Sequence, residues 1–501
     1  MTTWAGMVIS MAIAFFFTPY LISMLGKERY GLWSLILSIT VYMAFADIGM
    51  KQSIVRYVSK YYAVEDWKQV NEVISSAAKI YFFISLIMLL GTLTISFLFL
   101  QYFQISPEFI KIARTMMIIL GLNEVIRYFY LPFTSLGAFH RFDITSYFNI
   151  GIRIFQTLGM IILLELGYGL VAMALVVFAI NIVTRVWMSS MRARLFPETR
   201  FSMKAINSDK MKELLSYSII SFLIVATWIV ILYTDNIIIG AFLSMEAVAV
   251  YSVAAMLVTQ IRNSIQTIAI PLVPAISHFE AEKDFAKIMS VYHRATKYLY
   301  YLSAYIAIIT LIYGGPFIIL WVKMEFAGAI DVLHILIVAA AVFLPQSLAN
   351  SVLLGVSKHK IAFYILLAEA LSKIVASVIL IQYFGIIGVA FGSAIPQIII
   401  YVFIYPYVFH RAMAANVRPF YLTAGRSILI AVGLVLPPAI LLRLLLTPHN
   451  WAALFFDGIV VSIIMLIGFI SFILEDSDRQ KWLGKIKNRL PFRIGKKNII
   501  N

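Results

Sequence analysis

Gly167-Tyr168-Gly169-Leu170-Val171-Ala172 returns 218 residues later as Gly385-Ile386-Ile387-Gly388-Val389-Ala390. The same step of 218 carries Leu136-Gly137 with His140-Arg141 onto Leu354-Gly355 with Lys358-His359-Lys360. In each copy a Leu-Gly pair and a basic cluster open a long apolar run, and the glycine motif closes it. A weaker echo sets Glu28-Arg29-Tyr30-Gly31 against 246–251 at nearly the same offset. Internal duplication at this scale is the mark of a fold built from two copies of one unit.

The solvent of that fold is lipid. Of 501 residues, 62% are hydrophobic and only 13% charged, with a mean hydropathy of +0.92. Soluble domains carry about 25% charged residues. Apolar runs of about 20 residues, enough to cross roughly 30 Å of hydrocarbon as a helix, recur along the whole chain. The short alternating segments of a membrane β-barrel are absent. The first run, 4–24, has neither a basic leader nor a small-residue cleavage site, so it reads as a mature helix. With no cysteine, disulfides, iron–sulfur clusters and thiolate metal sites are excluded.

The expected class is an all-α polytopic membrane protein of about fourteen transmembrane helices. The spans fall near 4–24, 30–46, 80–103, 112–131, 144–166, 170–188, 214–234, 247–270, 297–313, 327–354, 361–381, 386–409, 428–446 and 452–474. Loops after even-numbered spans hold most of the Lys and Arg, in a ratio of roughly five to one, which places those loops and both termini in the cytoplasm. The net charge of +16 is therefore mostly topogenic and does not imply nucleic acid. The basic tail, 476–501, is placed against anionic lipid or in solvent. The repeat divides the chain into an N-lobe (1–190), a cytoplasmic linker (191–213), a C-lobe (214–415) and two appended helices (416–475). An even number of spans per lobe makes them parallel repeats about an axis along the membrane normal, an arrangement that places a site between lobes.

Charges at bilayer depth cost about 2.5–3.5 kcal/mol even on lenient scales, so they face a bundle interior or a cavity. Glu124, Arg153 and Lys373 fall near mid-depth and Arg262 somewhat toward the cytoplasm. Arg153 and Lys373 occupy nearly equivalent positions in corresponding helices of the two lobes, and two cations across a cavity suit a pyrophosphate. Internal ion pairs explain the same residues equally well: Glu369 with Lys373 at i,i+4, and Glu124 with Arg127 at i,i+3. Asp47 reads either as a gate paired to a basic residue or as a cap for the turn before the amphipathic stretch 51–70. Lys79, Arg114 and Arg185 lie close enough to span ends to snorkel. Prolines in or beside spans, among them Pro19, Pro271, Pro345 and Pro396, mark kinks.

Enzyme chemistry has no foothold. There is no P-loop, nucleotide fingerprint or HExxH, no metal site and no cofactor motif. No loop exceeds about 30 residues, against roughly 50 for a domain.

Several motifs together resemble the polysaccharide transporter branch of the multidrug/oligosaccharidyl-lipid/polysaccharide (MOP) flippases. They are Glu28-Arg29-Tyr30-Gly31 leading to Ala46-Asp47-Ile48-Gly49; Leu136-Gly137 with His140-Arg141-Phe142 and Asn149; Thr234-Asp235-Asn236 with Ile237-Ile238-Ile239-Gly240; Pro271-Leu272-Val273-Pro274; and Leu320-Trp321. The resemblance implies a V-shaped two-lobe bundle in the bacterial plasma membrane with a central cationic cavity. It implies alternating access for an undecaprenyl-pyrophosphate-linked oligosaccharide, flipped to the outer leaflet for cell-surface polysaccharide, such as lipopolysaccharide. Its partners would be the lipid-linked oligosaccharide, membrane lipids, H+ or Na+ as a coupling ion, and polymerase or glycosyltransferase machinery. Alternatives are a cation-coupled drug exporter and a lipid II flippase. The lipid II flippases carry an arginine in helix 1 and another in helix 8, where Arg262 falls here; drug exporters often carry acids in helix 1. Span 4–24 has neither. A membrane glycosyltransferase would need a large outer loop.

Overall fold

The computed structural model describes residues 2–47, 49–269, 272–356, 358–446, 448–476 and 478–480. Among them there is no strand. The helices run α1 Thr2–Leu25, α2 Lys27–Tyr42, α3 Met50–Tyr62, α4 Trp67–Thr94, α5 Pro107–Thr134, α6 Phe142–Glu165, α7 Leu170–Leu195, α8 Ser208–Phe242, α9 Met245–Ala269 and α10 Leu272–Ala281. They continue with α11 Phe285–Val322, α12 Gly328–Gly355, α13 His359–Ile399, α14 Tyr405–Ala412, α15 Arg418–Leu446 and α16 Trp451–Gly468. Pro271 and the tail from 481 onward lie outside the described residues.

Polar caps set several starts. The Asp66 side chain accepts from the Gln69 amide at 3.0 Å, Asn207 from Asp209 at 2.8 Å, and Asn450 from Ala453 at 2.9 Å, each satisfying a donor the helix cannot. The amphipathic stretch is α3, entered through Gly49 in the left-handed region (φ 69).

Eleven described helical runs are long and apolar enough to cross a membrane. The run Lys360–Ala412 counts there as one, yet its backbone breaks at Gly385 (φ 58, ψ −134) and folds back, bringing Gly392 against Ser377. The short α2 and the more charged α5 are not among the eleven. Counting the two limbs of Lys360–Ala412 separately gives twelve, and α2 and α5 are the further two helices that the expected fourteen would need. Gly167, the counterpart of Gly385 in the first copy, also has positive φ (83). Both copies thus close on a backbone conformation that L side chains rarely adopt.

Outward faces are coated with apolar side chains: Phe82, Phe83, Leu86, Ile87 and Leu90 line one side of α4, all exposed. Such a coat is stable only in hydrocarbon. The chain is a multi-pass membrane protein.

By contacts the chain falls into two compact units. One comprises 1–260, 321–336 and 360–397; the other 261–320, 337–359 and 398–501. In the first, α5 packs on both α4 and α7, α1 and α7 pack on α6, and α8 lies along α2, α3 and α4. Ile231 of α8 and Leu366 and Ala370 of α13 form a buried apolar patch there. In the second, α15 and α16 form a hairpin packed on α11.

Helix ends differ from expectation chiefly at charges. α8 continues to Phe242 although Thr234 is its expected end, and α7 continues to Leu195 where 188 is expected. The reason at α8 is that Asp235 is not a boundary charge but a neutralised interior one.

Candidate substrate-binding site

The first compact unit holds two polar clusters. In the first, Glu124 of α5 accepts from Arg127 at 2.8 Å and from Asn123 at 3.0 Å. Asn123 accepts from Asn181 of α7 at 3.0 Å, and Asn181 accepts from Gln156 of α6 at 3.2 Å. This relay of amides fixes three helices at one depth, since each buried amide needs its partners. Tyr81 of α4 donates to Asp47 and stacks on Tyr128 of α5, ring centroids 6.0 Å apart. Asp47 lies within electrostatic reach of Arg127 and Lys51 and beside the Lys51 amide in the first turn of α3.

Arg185 of α7 completes this group. It interacts electrostatically with Glu124 and Arg127, and its Nε is buried without a hydrogen-bond partner among the described residues. Reading α7 as ending at 188 hides it; the four-residue spacing of Asn181 and Arg185 on one face is the signal that reveals it. Arg127 keeps 43% of its side chain exposed while Glu124 keeps 12%. A guanidinium has five donors, so pairing with Glu124 leaves most of them free for another acceptor. Arg153 is exposed on α6, one helical turn before Gln156, and makes no ion pair among the described residues.

The second cluster surrounds Asp235. Its carboxylate accepts from Lys373 at 2.9 Å, Tyr251 at 2.6 Å and Ser393 at 3.1 Å. The Lys373 ammonium also donates to the Ile231 carbonyl. Neighbouring Thr234 bonds Tyr42, and Asn236 bonds Ser38 and Ser252. Thr234-Asp235-Asn236 thus ties α8 to α2, α9 and α13. Lys373 is 4% and Asp235 6% exposed.

The structure pairs Lys373 with Asp235 and not with its helix neighbour Glu369, which accepts from Gln397 at 3.0 Å. Lys373 is turned into the bundle, toward Asp235 and the Ile231 carbonyl, whereas Arg153 is exposed. Arg262 belongs to the other compact unit, its guanidinium 5.0 Å from the Phe343 ring centroid. Glu124, Arg127 and Asp47 are brought together, while Lys373 pairs with Asp235 and Glu369 bonds Gln397. Among the described residues no group of His and carboxylates is arranged to hold a metal.

The family described as "Polysaccharide biosynthesis protein" matches residues 2–280. The chain belongs to this family. No curated protein matches it in sequence. This family member shares its fold with a lipid II flippase, MurJ, in an inward closed conformation: TM-score 0.71, 12% identity, covering 93% of this chain and 96% of that one. It also matches an inward-facing multidrug resistance MATE transporter of the MOP superfamily, TM-score 0.65, 14% identity, covering 81% and 98%. A MOP transporter from Pyrococcus furiosus, with a binding pocket described as reversed in polarity, matches at TM-score 0.59, 13% identity, covering 82% and 94%. At these identities the likeness is one of fold: this family member has the fold of these transporters.

Proposed function

We propose that this family member flips a lipid-linked oligosaccharide, joined to its polyprenyl chain by a pyrophosphate, from the cytoplasmic to the outer leaflet of the bacterial plasma membrane. The observation that carries this reading is the family match over 2–280, which spans the whole first cluster. Arg127, Arg185 and Arg153 are the phosphate side of the site. Bidentate guanidinium contacts suit a pyrophosphate. Glu124 and Asp47 neutralise these cations when no substrate is present and give way to it; Asp47, at the end of α2's extension, acts as the gate. Asp235 and Lys373 hold the bundle together. The repeat halves, 1–190 and 214–415, rock in alternating access, with both termini cytoplasmic.

The test is flipping of a fluorescent polyprenyl-pyrophosphate oligosaccharide in proteoliposomes. The wild type moves it, and Arg127→Ala and Arg153→Ala each slow it about tenfold, the effect of losing about 1.4 kcal/mol of binding. Movement of cationic drugs without movement of the glycolipid replaces this reading with drug export. Undiminished flipping by both variants removes the arginines from the site.

A further inference from the structure

The C-terminal hairpin is seated on α11 by a row of tyrosines. Tyr301 donates to the Met465 carbonyl at 3.0 Å, Tyr305 shares a hydrogen bond with Ser462 at 2.6 Å, and Tyr313 donates to the Ala439 carbonyl at 3.0 Å. Between them lies an apolar cluster of Ile308, Tyr313, Val435, Ala439, Leu454 and Val461.

Asp457 of α16 sits in the middle of this seat. It follows Leu454 by three residues and precedes Val461 by four, so all three share one helix face. Its residue is 0% exposed, and neither carboxyl oxygen has a hydrogen-bond partner among the described residues. An ionised carboxylate in such surroundings is strongly disfavoured, whereas the neutral acid is tolerated. The titratable groups facing it are few. From α11 comes Tyr313, whose proton is already engaged with Ala439. From α15 comes Arg443, in the last turn, half-exposed and beyond ion-pair distance. α16 has no other ionisable side chain.

We propose that Asp457 is a proton-binding site: it is a neutral acid while the hairpin is seated, and loss of its proton unseats α16 from α11. The proton would pass at the α15–α16 connection, since Asp457 lies six residues into α16, about 9 Å along its axis. Arg443, at that end of α15, favours the charged form once water arrives. Because the seated form is the protonated one, the seat is most stable at low pH and weakens as pH rises through the carboxyl's titration. This inference does not depend on what the protein carries.

The experiment is infrared spectroscopy of the full chain in lipid nanodiscs, with carbon-13-labelled aspartate, joined to thermal unfolding across pH. The wild type shows a protonated-aspartate carbonyl band that shifts with the label, and this band is lost in Asp457→Asn and Asp457→Leu. The wild-type melting temperature falls with rising pH more steeply than that of either variant. An unchanged band in the variants, or identical pH profiles, overturns the proposal. So does failure of both variants to assemble, because a seat built for a neutral side chain accepts neutral replacements.

Discussion

A lysine ammonium inside a membrane-spanning bundle needs a counter-charge, and Lys373 takes one from a helix 138 residues away in sequence. Asp235 in turn collects Tyr251 and Ser393, so the pair is hydrogen-bonded on several sides, the condition under which a buried ion pair is tolerated. Lys373→Met should destabilise the protein by about 3–5 kcal/mol, because it strands a buried carboxylate. Adding Asp235→Asn should restore most of that loss. Thermal unfolding in detergent measures both; a single variant as stable as the wild type contradicts the pairing. At this scale the sequence was legible where partners are helix neighbours: Glu124 and Arg127 meet as their spacing predicts. It was not legible for Lys373, since spacing along one helix favours Glu369 and says nothing about a residue on another. Arg185 was hidden for a related reason, a charge near an assumed helix end that is in fact ten residues inside α7.

Helices of this protein close and pack through backbone as much as through side chains. Gly385 holds φ 58 and ψ −134 where α13 folds back, and an added Cβ meets nothing within 4 Å there. Gly385→Ala is therefore strained by conformation alone and should cost about 1–3 kcal/mol. Gly31 presents the opposite case: a Cβ there would lie 1.7 Å from the Met245 carbonyl oxygen, so α2 and α9 touch backbone to backbone. Gly31→Ala forces these helices apart and should lower the melting temperature more than Gly385→Ala does. Comparing the two by thermal unfolding checks the order, and the reverse order contradicts the close contact. The glycines of the duplicated motif were visible in the sequence. Which of them turns the chain and which admits a neighbour was not, because both demands select the same residue.

Topology belongs to the whole chain. The basic loops predict that 51–68, 191–213 and 283–297 face the cytoplasm. The natural absence of cysteine makes every single-cysteine variant a clean probe. Lys204→Cys, exposed in the loop between α7 and α8, should react with a membrane-impermeant maleimide only in inverted vesicles, and Glu325→Cys, exposed between α11 and α12, only in intact cells. Labelling with the opposite sidedness inverts the orientation. What the sequence determined by itself was the solvent, the helical class and the duplication of the chain. A bilayer demands long apolar runs whose backbone is satisfied within each segment, and that demand is written locally. Tertiary structure alone decided which buried charges neutralise one another, that Arg127 and Arg185 share a site with Glu124, and that Asp457 faces an apolar seat. Those outcomes depend on which helix faces meet, and electrostatics in a low-dielectric interior rewards whichever partner packing brings within about 3 Å.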